Sequence, residues 1–78
     1  MPKLPIMRSK DFLKSLIAFG CDEISVSGSH HKVVYPTTGK VAPVPVHGGE
    51  DMNRGFLADI LKQLGIDTDE FLEFIKRG

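Results

Sequence analysis

The sequence predicts a small α+β domain in which helices cover one face of a three-stranded antiparallel sheet. Two observations lead to this fold class: apolar residues recur at helical spacing near both ends of the chain, and they change to a two-residue period between them. The chain has 78 residues, of which 41% are hydrophobic and 26% charged, as in folded globular proteins. We therefore expect one domain over residues 1–78. A core this small is marginal alone, so we also expect a protein partner.

The first predicted helix has Ser9 as its N-cap, runs to about Phe19 and ends at Gly20. Its apolar residues fall on one arc at about 100° per residue. They are Phe12, Leu13, Leu16, Ile17 and Phe19. Lys10 and Lys14 fall outside that arc. We expect the arc to face the core and the two lysines to face water or a ligand.

A β-hairpin is predicted next. From Glu23 to Val26 apolar and polar residues alternate, which predicts a half-buried strand with Ile24 and Val26 on its inner side. Gly28 ends this strand. Residues 31–35 predict the returning strand, so the hairpin turn contains the glycine.

A third strand follows the turn-forming residues 36–39 and covers residues 40–46. It contains Pro43 and Pro45, which have no N–H to donate to a neighbouring strand. This strand is therefore expected at an edge of the sheet.

Two helices complete the predicted order α-β-β-β-α-α. Residues 54–64 form an amphipathic segment that ends at Gly65. Its apolar arc consists of Phe56, Leu57, Ile60, Leu61 and Leu64. Asp67 and Glu70 match a capping box for a short last helix. That helix carries Phe71, Leu72, Phe74 and Ile75. With helices on one side, the opposite sheet face is predicted to be open.

Charge and cysteine content limit the function classes. The formal net charge is zero, which argues against strong electrostatic binding of nucleic acid. The charges are unevenly distributed, however, because the first 40 residues are basic and the rest acidic. Cys21 is the one cysteine, so it cannot form an internal disulfide. No apolar run is long enough for a signal sequence or a membrane span. These features predict a cytoplasmic protein without a membrane partner.

The histidines are the residues best suited to proton transfer, because the ordinary histidine pKa is near 6.5. Gly28-Ser29-His30-His31 lies at the hairpin, and His47 opens a glycine-rich loop. Adjacent strand residues point to opposite faces, so His30 and His31 cannot share a site or bind one metal. The residues alone leave open which of the two is functional, or whether both are ordinary surface histidines. His47 is a second candidate, with capping of loop backbone as the alternative.

Lysines supply the candidate phosphate contacts. Lys10 and Lys14 lie one turn apart on the first helix, and Lys32 lies on the hairpin. The alternative is that these lysines are only solvated. No cluster of carboxylates, cysteines or histidines has ligand spacing, so we expect neither a metal nor another cofactor.

Short segments along nearly the whole chain, taken in their order and spacing, resemble a known family. The segments are Lys3-Leu4-Pro5 with Ser9 and Asp11, Gly28-Ser29-His30, the turn Pro36 to Gly39, Val44-Pro45-Val46-His47, and Gly55-x-Leu57-x-x-Ile60-Leu61-x-x-x-Gly65-Ile66. This pattern is similar to that of the HicA (YcfA-like) toxins of bacterial and archaeal toxin–antitoxin pairs.

The resemblance implies a fold like the double-stranded-RNA-binding domain. It also implies a ribonuclease that cleaves messenger RNA without a ribosome and is silenced by binding a HicB-type antitoxin in a hetero-oligomer. The family's catalytic histidine lies in the Gly-Ser-His motif, which here assigns the role to His30. Gly28 and Ser29 are candidate RNA contacts, because a glycine without a side chain lets a phosphate or base approach the hairpin backbone closely; the alternative is a glycine that serves only the turn.

The sequence departs from the family pattern in two ways. Asp59, Glu50 and Asp51 stand where many relatives have basic residues, which predicts weaker RNA binding. Cys21 stands where an aromatic residue is usual, and a lone buried thiol is the expected outcome.

Two other functions are compatible with the same residues. One is a non-catalytic RNA-binding module of this fold. The other is an adaptor that docks a protein through its open sheet face or an edge strand. A cleavage assay separates the first from a ribonuclease, and the near-neutral charge favours the second over a nucleic-acid role.

Overall fold

The computed structural model describes residues 4–46 and 51–77. The helices are α1 (Ser9–Phe19), α2 (Arg54–Leu64) and α3 (Thr68–Arg77). The strands are β1 (Met7–Arg8), β2 (Asp22–Ser27), β3 (His30–Tyr35), β4 (Lys40–Pro45) and β5 (Asp51–Met52). Within the described residues, no helix is both long enough and apolar enough to cross a membrane.

Strands β2, β3 and β4 form an antiparallel sheet in that order. Helices α1 and α2 pack on the sheet over β4. The predicted α+β class is confirmed, and the order α1-β2-β3-β4-α2 matches the arrangement of the double-stranded-RNA-binding domain, with α3 added after it. The third predicted strand lies at a sheet edge, as its prolines indicated.

The core lies between the sheet and the helices. The sheet contributes Val33, Ala42 and Val44, which are fully buried. The rings of Phe12 and Phe71 meet edge to face with centroids 5.7 Å apart, which joins α1 to α3. Apolar burial of this kind supplies most of the stabilisation of a small domain.

Strand β2 differs from the prediction. Alternation indicated a half-buried strand, but all six residues of β2 are exposed, with Ile24 at 51% and Val26 at 53%. The reason is position: β2 is the edge strand furthest from β4, so it projects beyond the helices. The two-residue period correctly predicted a strand, but the prediction that Ile24 and Val26 are buried on its inner side was wrong.

The first helix also differs in detail. It begins at Ser9, so Arg8 occupies the N-cap position and its side chain makes no capping hydrogen bond. Ser9 is buried as the first helical residue instead of capping the helix. Ile17 lies at the margin of the predicted apolar arc and is 45% exposed, because the buried stripe of α1 is narrower than the arc.

The ends of α2 and α3 follow the predictions. Asn53 caps α2 by accepting a hydrogen bond from the Phe56 N–H at 2.8 Å. Gly65 ends the helix with a left-handed φ of +75°. The backbone oxygen of Asp67 accepts from the Phe71 N–H at 3.0 Å, so α3 starts at the predicted place.

A second, two-stranded ladder joins the start of the chain to the segment before α2. Strand β1 pairs antiparallel with β5, with Met7 opposite Met52. Arg54 supports this contact by donating from Nε to the Leu4 backbone oxygen at 2.7 Å. This ladder was not predicted from the sequence. It attaches the N-terminal segment to the residues that precede α2.

Candidate functional site

The candidate site is built on the hairpin formed by β2 and β3. Gly28 and Ser29 form its two-residue turn, and Gly28 has a φ of +60° that favours glycine. The Val46 N–H donates to the Ser29 backbone oxygen at 2.7 Å, which ties the end of β4 to the turn. His30 is the first residue after the turn and pairs with Ser27.

The two adjacent histidines lie on opposite faces of the sheet. Val33 is fully buried and therefore faces the helices. His31, two residues earlier in β3, shares that face, whereas His30 and Lys32 lie on the other face. This confirms that His30 and His31 do not point into the same site.

His30 and Lys32 are neighbours on the open face, and both are exposed. Across the sheet His30 lies between Ser27 and Pro45. These neighbours are small or lack a charge, so they leave the imidazole accessible. An imidazole and an ammonium group thus lie two residues apart on the same uncovered face.

His31 has a partner on the helix-facing side. Its Nδ1 lies 2.9 Å from Oε2 of Glu23 on the neighbouring strand. A carboxylate can only accept a hydrogen bond, so the Nδ1–H of His31 is the donor, and the Nε2 atom takes no part in this bond. Both side chains are partly accessible, at 22% for His31 and 33% for Glu23. The contact between His31 and Glu23 was not predicted from the sequence.

The predicted lysines do not all lie together. Lys10 and Lys14 are exposed on α1, in the helical layer, whereas Lys32 lies on the opposite side of the sheet with His30. Gly28 and Ser29 adjoin His30 at the hairpin turn. The candidate His47 lies outside the described residues.

Cys21 immediately precedes β2 and is buried, as predicted. Burial, together with the neighbouring Asp22 carboxylate, raises the pKa of its thiol to about 11. The thiol therefore stays protonated at neutral pH and is a poor nucleophile.

Across residues 4–46 and 51–77, no group of three or more histidine, cysteine, aspartate or glutamate side chains could hold a metal ion.

A family model described as the HicA toxin of bacterial toxin–antitoxin systems matches residues 9–66. The chain belongs to this family. No protein with a curated description matches it. The matched segment of this HicA toxin includes the whole β2–β3 hairpin and ends before α3. As a toxin of a toxin–antitoxin pair, it has an antitoxin as its partner.

Proposed function

We propose that this HicA toxin is a cytoplasmic endoribonuclease that cleaves messenger RNA with His30 as its proton-transfer residue. The main support is the position of His30: it is exposed on the uncovered sheet face, beside Lys32 and directly after the Gly28-Ser29 turn. Family membership adds to this support.

The proposed reaction uses the RNA's own nucleophile. His30 removes the proton of a ribose 2′-OH, and the resulting oxygen attacks the adjacent phosphorus. The bond to the 5′-oxygen breaks, and that oxygen takes a proton from a second donor or from water. Lys32, on the same face, offsets charge on the phosphate. No metal or other cofactor takes part.

The turn gives the RNA backbone room to approach. A Cβ at Gly28 would meet no atom within 4 Å, so the turn is open to solvent. Its backbone and that of Ser29 can contact a phosphate or a sugar closely. Lys10 and Lys14 would act as a second contact, reached only by RNA that passes around the edge of the sheet.

The decisive experiment compares His30→Ala with the wild type on a long RNA. We expect the rate of cleavage to fall by a factor of about 100 or more, the usual contribution of a general base. Because His30 is exposed, the melting temperature should stay unchanged. His31→Ala should lose much less activity. Full activity of His30→Ala would refute the assignment.

The reaction type is tested with a substrate that carries one 2′-deoxynucleotide at the cleaved position. It should resist cleavage, since it lacks the attacking oxygen. EDTA should leave cleavage of the all-ribose substrate intact. RNA binding without any cleavage by the wild type would instead indicate a non-catalytic RNA-binding module.

We further propose that the antitoxin is of the HicB type and covers His30 with an acidic surface, burying about 1,200 to 2,000 Å² in total. Its association should slow as salt increases. Exchanging both Lys10 and Lys14 for glutamate tests only whether either partner also reaches the helical layer. Exchanging Lys32, on the face of His30, for glutamate should weaken antitoxin and RNA binding together if the two share that surface. Loss of only one would mean that inhibition acts away from the RNA site.

A further inference from the structure

The contact between Glu23 and His31 depends on an irregularity in β2. Val26 lies opposite His31, and Ser25 lies opposite Lys32, but the next pair is Glu23 with Val33. Ile24 is therefore an extra residue, a β-bulge. In a regular ladder Glu23 would lie one position further along β3 and on the open face. The bulge turns the carboxylate towards the face that His31 occupies.

The pair adds a side-chain link between β2 and β3, which are otherwise joined through their backbone ladder. Strand β2 is exposed along its whole length, and the helices pack over β4, two strands away. In the described parts of the chain, the 2.9 Å contact between Glu23 and His31 is the side-chain hydrogen bond that links β2 to β3. The backbone ladder supplies the remaining attachment.

His30 lies at the end of the same ladder. It is bonded covalently to His31 and pairs with Ser27, the last residue of β2. Strand β4 holds the other side of His30 through Pro45 and the bond from Val46 to Ser29, so a shift of β2 would act on the imidazole through Ser27 and Gly28, the neighbours that β2 supplies. Displacing a reacting group by about 1 Å can slow a reaction as much as 100-fold.

We propose that Glu23 and His31 are positioning residues, which hold the hairpin in the register that presents His30 to the RNA. This inference rests on the proposed ribonuclease function. The pair itself lies on the other sheet face, so it acts through the hairpin and does not contact the reacting phosphate.

The test measures single-turnover cleavage of an RNA oligonucleotide by Glu23→Ala, His31→Ala and the double variant. Each single variant should lower the maximal rate about 10-fold and change the RNA concentration for half-maximal rate less than about twofold. The double variant should be no slower than the single variants, because the first change already breaks the contact.

Conservative variants separate positioning from proton transfer. His31→Asn keeps an N–H donor close to the ring Nδ1 but cannot carry a proton between groups. Glu23→Gln keeps an oxygen acceptor. Both should cleave within about threefold of the wild type, and His31→Asn should leave the pH profile of the rate unchanged.

Asp22→Asn is the matched control for charge. It removes one negative charge from the neighbouring residue of β2 and leaves the Glu23–His31 contact intact. It should cleave like the wild type. The melting temperature of every variant should fall by less than about 5 °C, since exposed pairs contribute little to stability.

Each other outcome has a defined meaning. If the wild type does not cleave RNA, the proposed function fails first. If the wild type cleaves and both alanine variants cleave equally fast, the positioning role is refuted. It is also refuted if His31→Asn is as slow as His31→Ala while Glu23→Ala is active, because His31 would then act on the RNA itself.

Discussion

Three residues in one row of the sheet show that the helices cover one half of it and leave the other half exposed. Val26, His31 and Val44 lie side by side on the helix-facing side of β2, β3 and β4. Val44 is fully buried, whereas Val26 is 53% exposed. The two valines have the same chemistry and the same orientation, so the difference comes only from the helices above them.

The comparison divides the sheet into a covered part and an overhang. The covered part consists of β4 and the end of β3, and its inward side chains belong to the core. The overhang consists of β2 and the start of β3, and it carries both histidines of the candidate site. Substitutions in the overhang should therefore cost little stability.

The largest difference is expected between Val44→Ala and Val26→Ala. Val44→Ala leaves a cavity in the core and should lower the free energy of unfolding by about 2 to 3 kcal/mol. Val26→Ala removes the same atoms from a solvated site and should change it by less than about 0.5 kcal/mol. Urea unfolding of both variants measures the two values.

Equal losses in the two valine variants would contradict this division of the sheet. They would mean that another surface covers Val26 in solution, such as a second copy of the chain. Sedimentation of the wild type over a range of concentrations distinguishes that cause from an error in the overhang itself.

A smaller difference in lost stability is expected between alanine substitutions at two glycines that have a left-handed backbone, Gly65 and Gly28. A Cβ at Gly65 would lie 2.9 Å from Cγ2 of Thr38, whose hydroxyl donates to the Leu64 backbone oxygen. At Gly28 it would meet no atom within 4 Å. Gly28→Ala should cost about 1 kcal/mol from backbone strain alone, and Gly65→Ala about 2 kcal/mol. Thermal unfolding tests the order, and a larger loss at Gly28 would reverse the comparison.

The last expected effect concerns Cys21, at the boundary between the two parts, and it is absent at neutral pH. Its pKa is raised to about 11 in the folded protein, above the ordinary value of 9.0. The unfolded chain therefore loses this proton first, and stability is unaffected below pH 9 but falls between pH 9 and 11. The loss should reach up to about 2 kcal/mol.

Cys21→Ala provides the control, because other groups also titrate in this range. Its free energy of unfolding should fall less steeply between pH 9 and 11 than that of the wild type. Identical slopes would show that the thiol is not protected by burial. Alkylation at pH 8 should also be at least about tenfold slower in the folded protein than in urea.

Features set by nearby residues could be predicted from the sequence. The limits of α2 follow from the apolar spacing and from Gly65, and both were correct. The turn at residues 36–39 follows from its proline and glycine. Successive side chains of a strand point to opposite faces, so the placement of His30 and His31 on different faces was also predicted correctly.

Features set by distant residues could not be predicted. A two-residue period shows that Ile24 and Val26 belong to a strand, but whether a helix covers them depends on where the helices pack. The contact between Glu23 and His31 needs the bulge, for which the sequence gives no signal. The ladder of β1 and β5 joins segments more than 40 residues apart.

The bulge at Ile24 gives this hairpin an unusual response to changes in length. Deleting Ile24 would give a regular ladder in which Glu23 still lies opposite Val33, on the helix-facing side that His31 occupies. A single lost codon at this position would thus remove the bulge and keep the Glu23 carboxylate beside His31, away from the proposed RNA site. The bulge is therefore the place where β2 can lose a residue without reversing its other side chains, whereas a residue lost elsewhere in the strand, with the bulge kept, would reverse the faces of the side chains on one side of the loss.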